Sequence, residues 1–142
     1  THDMPPAAGY LEYGHVKLRE QLGLLSGPVE EFQKSATAEH NAMLNMLVEE
    51  GYLDKAALDD EAANENEIVD ALYRGLKGSP CKLMAASIVD AVGEKRTQNQ
   101  PGTNNEYPNW RIPLADGEGN VVPLEKLFDE PRLQEITAIM RG

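Results

Sequence analysis

The stretch Cys81–Gly93, CKLMAASIVDAVG, decides how the fold of this 142-residue chain is interpreted. It is a nearly unbroken apolar run and contains the β-branched residues Ile88, Val89 and Val92. Such a run is typical of a strand that is buried on both faces, as in parallel sheets. A buried helix is the alternative, because periodicity alone does not separate the two here. We predict a strand over residues 81–92.

The segments around this run indicate helices. Asp3, followed by Pro5 and Pro6, suits a helix start with aspartate as the N-cap, and leucines at helical spacing continue that helix to about Leu25. A polar connection with a short helical turn is predicted from Tyr52. Further helices are predicted from Pro28 to Gly51, from Glu65 to Gly78, and from Pro131 onward. One parallel strand cannot form a sheet, so its neighbours must come from outside the chain.

Composition excludes several functions. A net charge of −11 argues against nucleic acid and against anionic membrane surfaces, and suits a neutral ligand or a protein partner. No apolar run approaches the roughly 18 residues that a membrane span needs. One cysteine, Cys81, and three scattered histidines make no zinc pattern, and we expect neither a metal nor a cofactor. The lone cysteine fits a reducing compartment, and we predict a cytoplasmic protein.

The first candidate site is the amide-rich loop Gln98–Trp110, QNQPGTNNEYPNW. Its amides offer donors and acceptors, which suits a ligand rich in hydroxyl groups. Tyr107 and Trp110 offer flat faces to a sugar ring, and Gly102 lets backbone approach a ligand. The alternative is a structural loop, whose amides make local turns and whose Trp110 is buried against the last helix.

The second candidate site is the opening triplet Thr1-His2-Asp3. Both His2 and Asp3 can reach one pocket if they stand at the end of a strand, while the alternative for Asp3 is the plain helix cap. The remaining histidines, His15 and His40, lie in helical stretches with no nucleophile nearby, and we expect them at the surface.

Together the two sites resemble a known family. THDMPPAAGYLEYGH, followed by ALYRGLKGSPCKLMAASIVDAVGEKRTQNQPGTNNEYPNWRIPL, is similar to the C-terminal part of bacterial 4-alpha-glucanotransferases, also called amylomaltases. The most specific segment is NQPGTNNEYPNWR, which matches the family pattern Asn-x-Pro-Gly-Thr followed by Glu-x-Pro-Asn-Trp-Arg. The similarity runs from Thr1 to about Met140.

The resemblance implies a predominantly helical fold with one or few strands, as a C-terminal fragment of a (β/α)8 barrel. Residues 1–142 would then be a single unit without a complete second domain. The chain would begin at the end of the seventh strand, and the helices up to about Lys77 would form the seventh helical layer. Residues 81–92 would be the eighth strand, and residues 124–140 the closing helix.

The resemblance also implies a retaining transfer of α-1,4-glucan segments between maltooligosaccharides. His2 and Asp3 would hold the sugar at the cleavage point, and Asn99, Pro101, Gly102 and Trp110 would shape the glucan channel. The family's nucleophile and general acid precede the THD motif, so the chain by itself is expected to be inactive.

Two other functions remain open at this point. One is a non-enzymatic, helix-rich interaction domain, in which exposed apolar surface leads to self-association. The other is a carbohydrate-binding module without catalysis. Oligosaccharide binding without turnover would favour the second, and cooperative folding without any saccharide response would favour the first.

Overall fold

The computed structural model describes residues 3–142, and the regular structure of this part is helical. A 3-10 helix at Lys55–Asp59 supplies the short turn predicted between the second and third long segments. The α-helices are α1 Ala7–Leu11, α2 Gly14–Gln21, α3 Val29–Glu49, α4 Glu65–Gly78, α5 Ile88–Ala91, α6 Leu124–Leu127 and α7 Pro131–Arg141.

The core lies where α3, α4 and α7 pack together. Each of these helices carries an apolar stripe, which buries Leu44 and Leu47 of α3, Ile68 and Val69 of α4, and Ile136 of α7. Pro28, directly before α3, and Pro131 at the first position of α7 mark the helix starts, as the sequence predicted. The predominantly helical fold and these three helices are therefore confirmed.

The first predicted helix is two helices. Tyr13 adopts a left-handed conformation, with φ of 59°, and separates α1 from α2. The predicted N-cap is wrong as well, because Pro6 is the residue before the helix and Asp3 lies too far upstream. Instead the Ala7 N–H donates to Asp90 Oδ1 at 2.8 Å, so a distant carboxylate satisfies the start of α1.

Asp90 also ties α5 to α4. The Tyr73 hydroxyl donates to Asp90 Oδ2 at 2.6 Å and accepts from the Ser87 N–H at 3.0 Å. Burial raises the pKa of the Tyr73 phenol, and the hydrogen bond to Asp90 raises it further. The phenol therefore stays protonated and acts as a donor at neutral pH. Through its two oxygens Asp90 joins α1, α4 and α5.

The predicted strand at residues 81–92 is wrong. Residues 81 to 87 are irregular and largely exposed, with Leu83 93% exposed, and Ile88–Ala91 is helical. A strand needs a neighbouring strand to pair with. Within residues 3–142 no strand is present, and the one isolated β-bridge joins Ala115 and Val121.

Candidate functional site

Residues 94 and 115 flank the amide-rich loop and meet at its base, which forms the neck of the loop. A buried carboxylate closes this neck. Glu94 is 1% exposed and precedes the loop, and its Oε2 accepts from the Ala115 N–H at 3.0 Å on the far side. Arg96 donates to Glu94 from its backbone N–H and Nε, both at 2.9 Å to Oε1, and from Nη2 at 2.7 Å to Oε2. Arg96 Nη2 also donates to the Pro113 carbonyl at 2.9 Å. Residues 94 and 115 are thereby held together across the base of the loop.

Electrostatics keep this neck charged. Burial acts to raise the pKa of Glu94, but the hydrogen bonds from Arg96 and Ala115 outweigh it, and the pKa is lowered. Glu94 is thus a carboxylate at neutral pH, paired with a guanidinium. Sequence reasoning missed Glu94, and the available signal was a single acid two residues before an arginine, directly after an apolar run.

Most of the amide contacts inside the loop are local. Asn109 Oδ1 accepts from the Gln100 N–H at 2.7 Å, and Asn109 Nδ2 donates to Thr103 Oγ1 at 2.8 Å. Thr103 Oγ1 in turn donates to the Gln100 carbonyl at 2.7 Å. The Tyr107 hydroxyl donates to the Thr97 carbonyl at 2.7 Å. These bonds match the structural alternative for the amides, because they hold the loop's own turns.

Asn99 is an exception among the amides. Its Nδ2 donates to Asp3 Oδ1 at 2.6 Å, across 96 positions of sequence. The two motifs singled out in the sequence therefore meet in space at this bond. His2 lies outside the described residues.

A cavity of about 650 Å³ lies between the start of the chain, α1, α2 and the amide-rich loop. Its volume falls in the range of small-molecule sites, and its walls mix apolar, aromatic and charged groups. Residues that line it include Asp3, Tyr10, His15, Arg19, Glu39, Lys95, Arg96, Gln100, Pro101, Tyr107 and Ile112.

Two other predicted loop residues, Gly102 and Trp110, do not line the cavity. Gly102 has φ of 86°, a conformation that favours glycine. A Cβ at this position would lie 3.4 Å from Leu24 Cδ2, and Gly102 is not among the cavity residues. Trp110 is 62% exposed, with φ of 59°, and is not among the cavity residues. The alternative in which Trp110 is buried against the last helix is therefore wrong.

Two tyrosine–histidine pairs are stacked, and one of them, Tyr10 with His15, lines the cavity. Tyr10 stacks on His15 with ring centroids 5.1 Å apart, and Tyr13 stacks on His40 at the same separation. Burial lowers the pKa of His15, with Arg19 acting in the same direction and Glu39 against it. His15 is therefore mainly neutral at neutral pH and presents a neutral ring to the cavity.

The prediction that His15 and His40 lie at the surface is wrong for His40, which is 2% exposed. His40 Nε2 lies 2.6 Å from Glu61 Oε2, so a carboxylate from the connection before α4 pairs with one nitrogen of the buried ring. His15 is half-buried. A histidine buries readily where it gains an acceptor and aromatic neighbours.

Two other kinds of site, a membrane span and a metal cluster, are absent from residues 3–142. Across residues 3–142, no helix is long and apolar enough to cross a membrane. In the same part of the chain, no group of three or more His, Cys, Asp or Glu side chains is placed to hold a metal ion.

Comparison with known proteins gives the family of this chain. A family model described as 4-alpha-glucanotransferase matches residues 1–117. The chain therefore belongs to the 4-alpha-glucanotransferase family, as the sequence motifs indicated.

Individual relatives agree with this assignment. The chain is 46% identical over 142 residues to a 4-alpha-glucanotransferase of Mycobacterium bovis, covering 100% of the chain and 19% of that protein. It is 27% identical over 137 residues to a 4-alpha-glucanotransferase of Haemophilus influenzae, covering 94% of the chain and 19% of that protein. The crystal structure of amylomaltase from Corynebacterium glutamicum matches with a TM-score of 0.85 and 36% identity, over 99% of the chain and 21% of that structure. The chain thus spans about a fifth of the length of these relatives.

Proposed function

We propose that the protein containing this chain is a retaining 4-alpha-glucanotransferase, which transfers α-1,4-glucan segments between maltooligosaccharides. One observation carries the proposal. Asp3 and the family's loop motif, far apart in sequence, meet through the Asp3–Asn99 bond at 2.6 Å beside a cavity of about 650 Å³. A binding site requires residues that are distant in sequence to converge beside a cavity, whereas a helix cap or an isolated loop does not require this.

In the proposed mechanism Asp3 accepts hydrogen bonds from sugar hydroxyls at the cleavage point. These bonds tighten as the ring flattens toward an oxocarbenium ion, so they stabilise the transition state more than the bound substrate. His2 would donate to a neighbouring hydroxyl. The nucleophile and the general acid would come from parts of the protein outside this chain, which would therefore be inactive by itself.

The cavity walls support binding of a sugar ring. Tyr10 and Tyr107 contribute aromatic surface, and Gln100 and Arg19 contribute polar groups. Pro101 would shape the channel directly, and Gly102 would do so through the turn that it permits. Trp110, with 62% of its surface exposed, offers a stacking face for a more distant glucosyl unit.

The same proposal places the chain in the C-terminal part of a TIM barrel, beginning at the end of the seventh strand and closing with α7. The match of 99% of the chain to 21% of an amylomaltase supports this placement. Leu83 and Ile88 are 93% and 51% exposed, and in the proposal they contact the remainder of the barrel. The alternative is self-association of the chain through these side chains. A cytoplasmic location remains a prediction.

The test uses protein expressed from the complete reading frame that contains this chain. Wild type should convert maltotriose to glucose and longer maltodextrins, and Asp3→Asn should lose at least about 100-fold in kcat. Asp129→Asn makes the same change at an exposed aspartate remote from the cavity and should retain activity. Wild-type protein that binds maltooligosaccharides without transfer would replace this proposal by a binding module. An Asp3→Asn variant with normal kcat would remove Asp3 from the site.

A further inference from the structure

We propose that Asn99 is a positioning residue, whose side-chain amide fixes the orientation of the Asp3 carboxylate. The inference rests on the proposed function, because it assigns Asn99 a role through Asp3 rather than through the sugar. It starts from the bond from Asn99 Nδ2 to Asp3 Oδ1 at 2.6 Å. An amide donor on a carboxylate is a charge-assisted hydrogen bond, which is stronger and more directional than a neutral one.

Asp3 and Asn99 differ in burial and in their place in the fold. Asp3 is exposed and lies in a turn, outside any helix. Asn99 is half-buried, and its carbonyl accepts from Thr97 Oγ1 at 3.0 Å, with Thr97 itself 7% exposed. On the other side of Asn99, the Gln98 carbonyl accepts from the Trp110 N–H at 2.9 Å. The loop therefore presents the Asn99 amide to the Asp3 carboxylate from a fixed position.

Orientation matters because Asp3 is proposed to bond sugar hydroxyls more tightly in the transition state. A carboxylate that rotates away from this geometry binds substrate nearly as well but stabilises the transition state less. A misplacement of about 1 Å can cost about 100-fold in rate. Loss of the Asn99 donor should consequently lower kcat about 10- to 100-fold and leave KM within about threefold.

The experiment measures maltotriose transfer by protein from the complete reading frame. Asn99→Ala removes the donor, and Asn99→Asp replaces it by a negative group of the same shape that repels Asp3. We expect kcat to be highest in wild type, lower in Asn99→Ala and lowest in Asn99→Asp, with an unchanged melting temperature in both variants. Asn45→Ala makes the same change at an exposed asparagine of α3, outside the loop, and should retain the wild-type kcat.

A double-mutant cycle separates positioning from direct sugar contact. Calorimetry with acarbose, a maltooligosaccharide mimic with a flattened cationic ring, measures binding in wild type, Asn99→Ala, Asp3→Asn and the double variant. Positioning predicts that Asn99→Ala weakens binding about tenfold when Asp3 is present and less than about twofold when it is replaced. Equal weakening in both backgrounds overturns the inference, as does a raised KM with normal kcat. A wild-type protein that does not transfer glucan defeats the proposed function first and is recognised before any variant is compared.

Discussion

Replacing Glu94 by glutamine should open the amide-rich loop while leaving the helical core intact. The four donors on Glu94 are shared two to each carboxylate oxygen. Glutamine keeps only one oxygen. In either orientation of its amide, one backbone N–H and one guanidinium N–H of Arg96 therefore lose their acceptor.

The cost follows from burial. A buried backbone donor left without an acceptor costs about 1–3 kcal/mol. The guanidinium adds less, because the Arg96 side chain is 44% exposed and water replaces the lost bond. The two remaining bonds weaken as well, since their acceptor is now neutral. The sum is about 2–4 kcal/mol of loop stability.

Hydrogen exchange on the protein from the complete reading frame measures this opening. Two to four kcal/mol corresponds to roughly 30- to 1,000-fold faster exchange, at 1.4 kcal/mol per tenfold. The Trp110 N–H, bonded to the Gln98 carbonyl at 2.9 Å and remote from the substitution in sequence, reports on the loop. Amides in α3 report on the core and should not change. Glu106→Gln is the matched control, because Glu106 is an exposed acid of the same loop and glutamine still accepts from the Asn104 N–H.

The pH dependence has a definite sign. The pKa of Glu94 in the folded protein lies below its ordinary value of 4.5, so its stabilisation is complete above about pH 4.5. That stabilisation is lost as pH falls through the folded pKa. After correction for intrinsic exchange rates, wild type and Glu94→Gln should converge at acid pH. Loop exchange in Glu94→Gln within threefold of wild type at pH 7 would refute the role assigned to this carboxylate.

Two further substitutions test how other segments are held. Gly9→Ala should separate α1 from the loop neck, because a Cβ at Gly9 would lie 2.1 Å from the Lys95 carbonyl oxygen. The expected cost is about 1–3 kcal/mol, which a lower thermal unfolding temperature should show. Gly27→Ala, whose Cβ meets only ordinary contacts, should unfold like wild type. Tyr73→Phe should cost about 1–3 kcal/mol of stability, because Asp90 loses a donor and the Ser87 N–H loses an acceptor. Faster hydrogen exchange around α5 would show this loss of stability, and an unchanged exchange rate would contradict it.

The sequence predicted those parts of the fold that depend on local patterns. The helices α3, α4 and α7 each carry an amphipathic stripe, and prolines mark the starts of α3 and α7. The segment at residues 81–92 was mispredicted because apolar composition reports burial and not pairing, and within residues 3–142 it has no partner strand. The break at Tyr13 was missed because a left-handed tyrosine leaves no mark on leucine spacing.

The sequence likewise predicted only part of the candidate site. Asp3 was singled out from the opening triplet and Asn99 through the family resemblance, but their contact was not predicted, since no local pattern links residues 96 positions apart. Glu94 escaped notice because its burial depends on Ala115, which lies at the other end of the loop. The burial of His40 likewise depends on Glu61, from a segment that reads as a polar connection. Side chains whose partners are distant in sequence are thus the ones that sequence reasoning misplaces.

The amide side chains of the loop have two different roles in this structure. The Asn109 side chain bonds the Gln100 N–H and Thr103, and the Gln100 side-chain amide bonds the Pro101 carbonyl. Substitution of either side chain should therefore affect stability and activity together. Asn99 instead extends its side chain to a residue outside the loop, so its substitution should affect activity while leaving stability unchanged. A loop built in this way needs a rigid neck, since a mobile one could not fix the distance from Asn99 to Asp3. Glu94 supplies that neck, and loosening it should lower kcat as Asn99→Ala does, but with a measurable loss of loop protection.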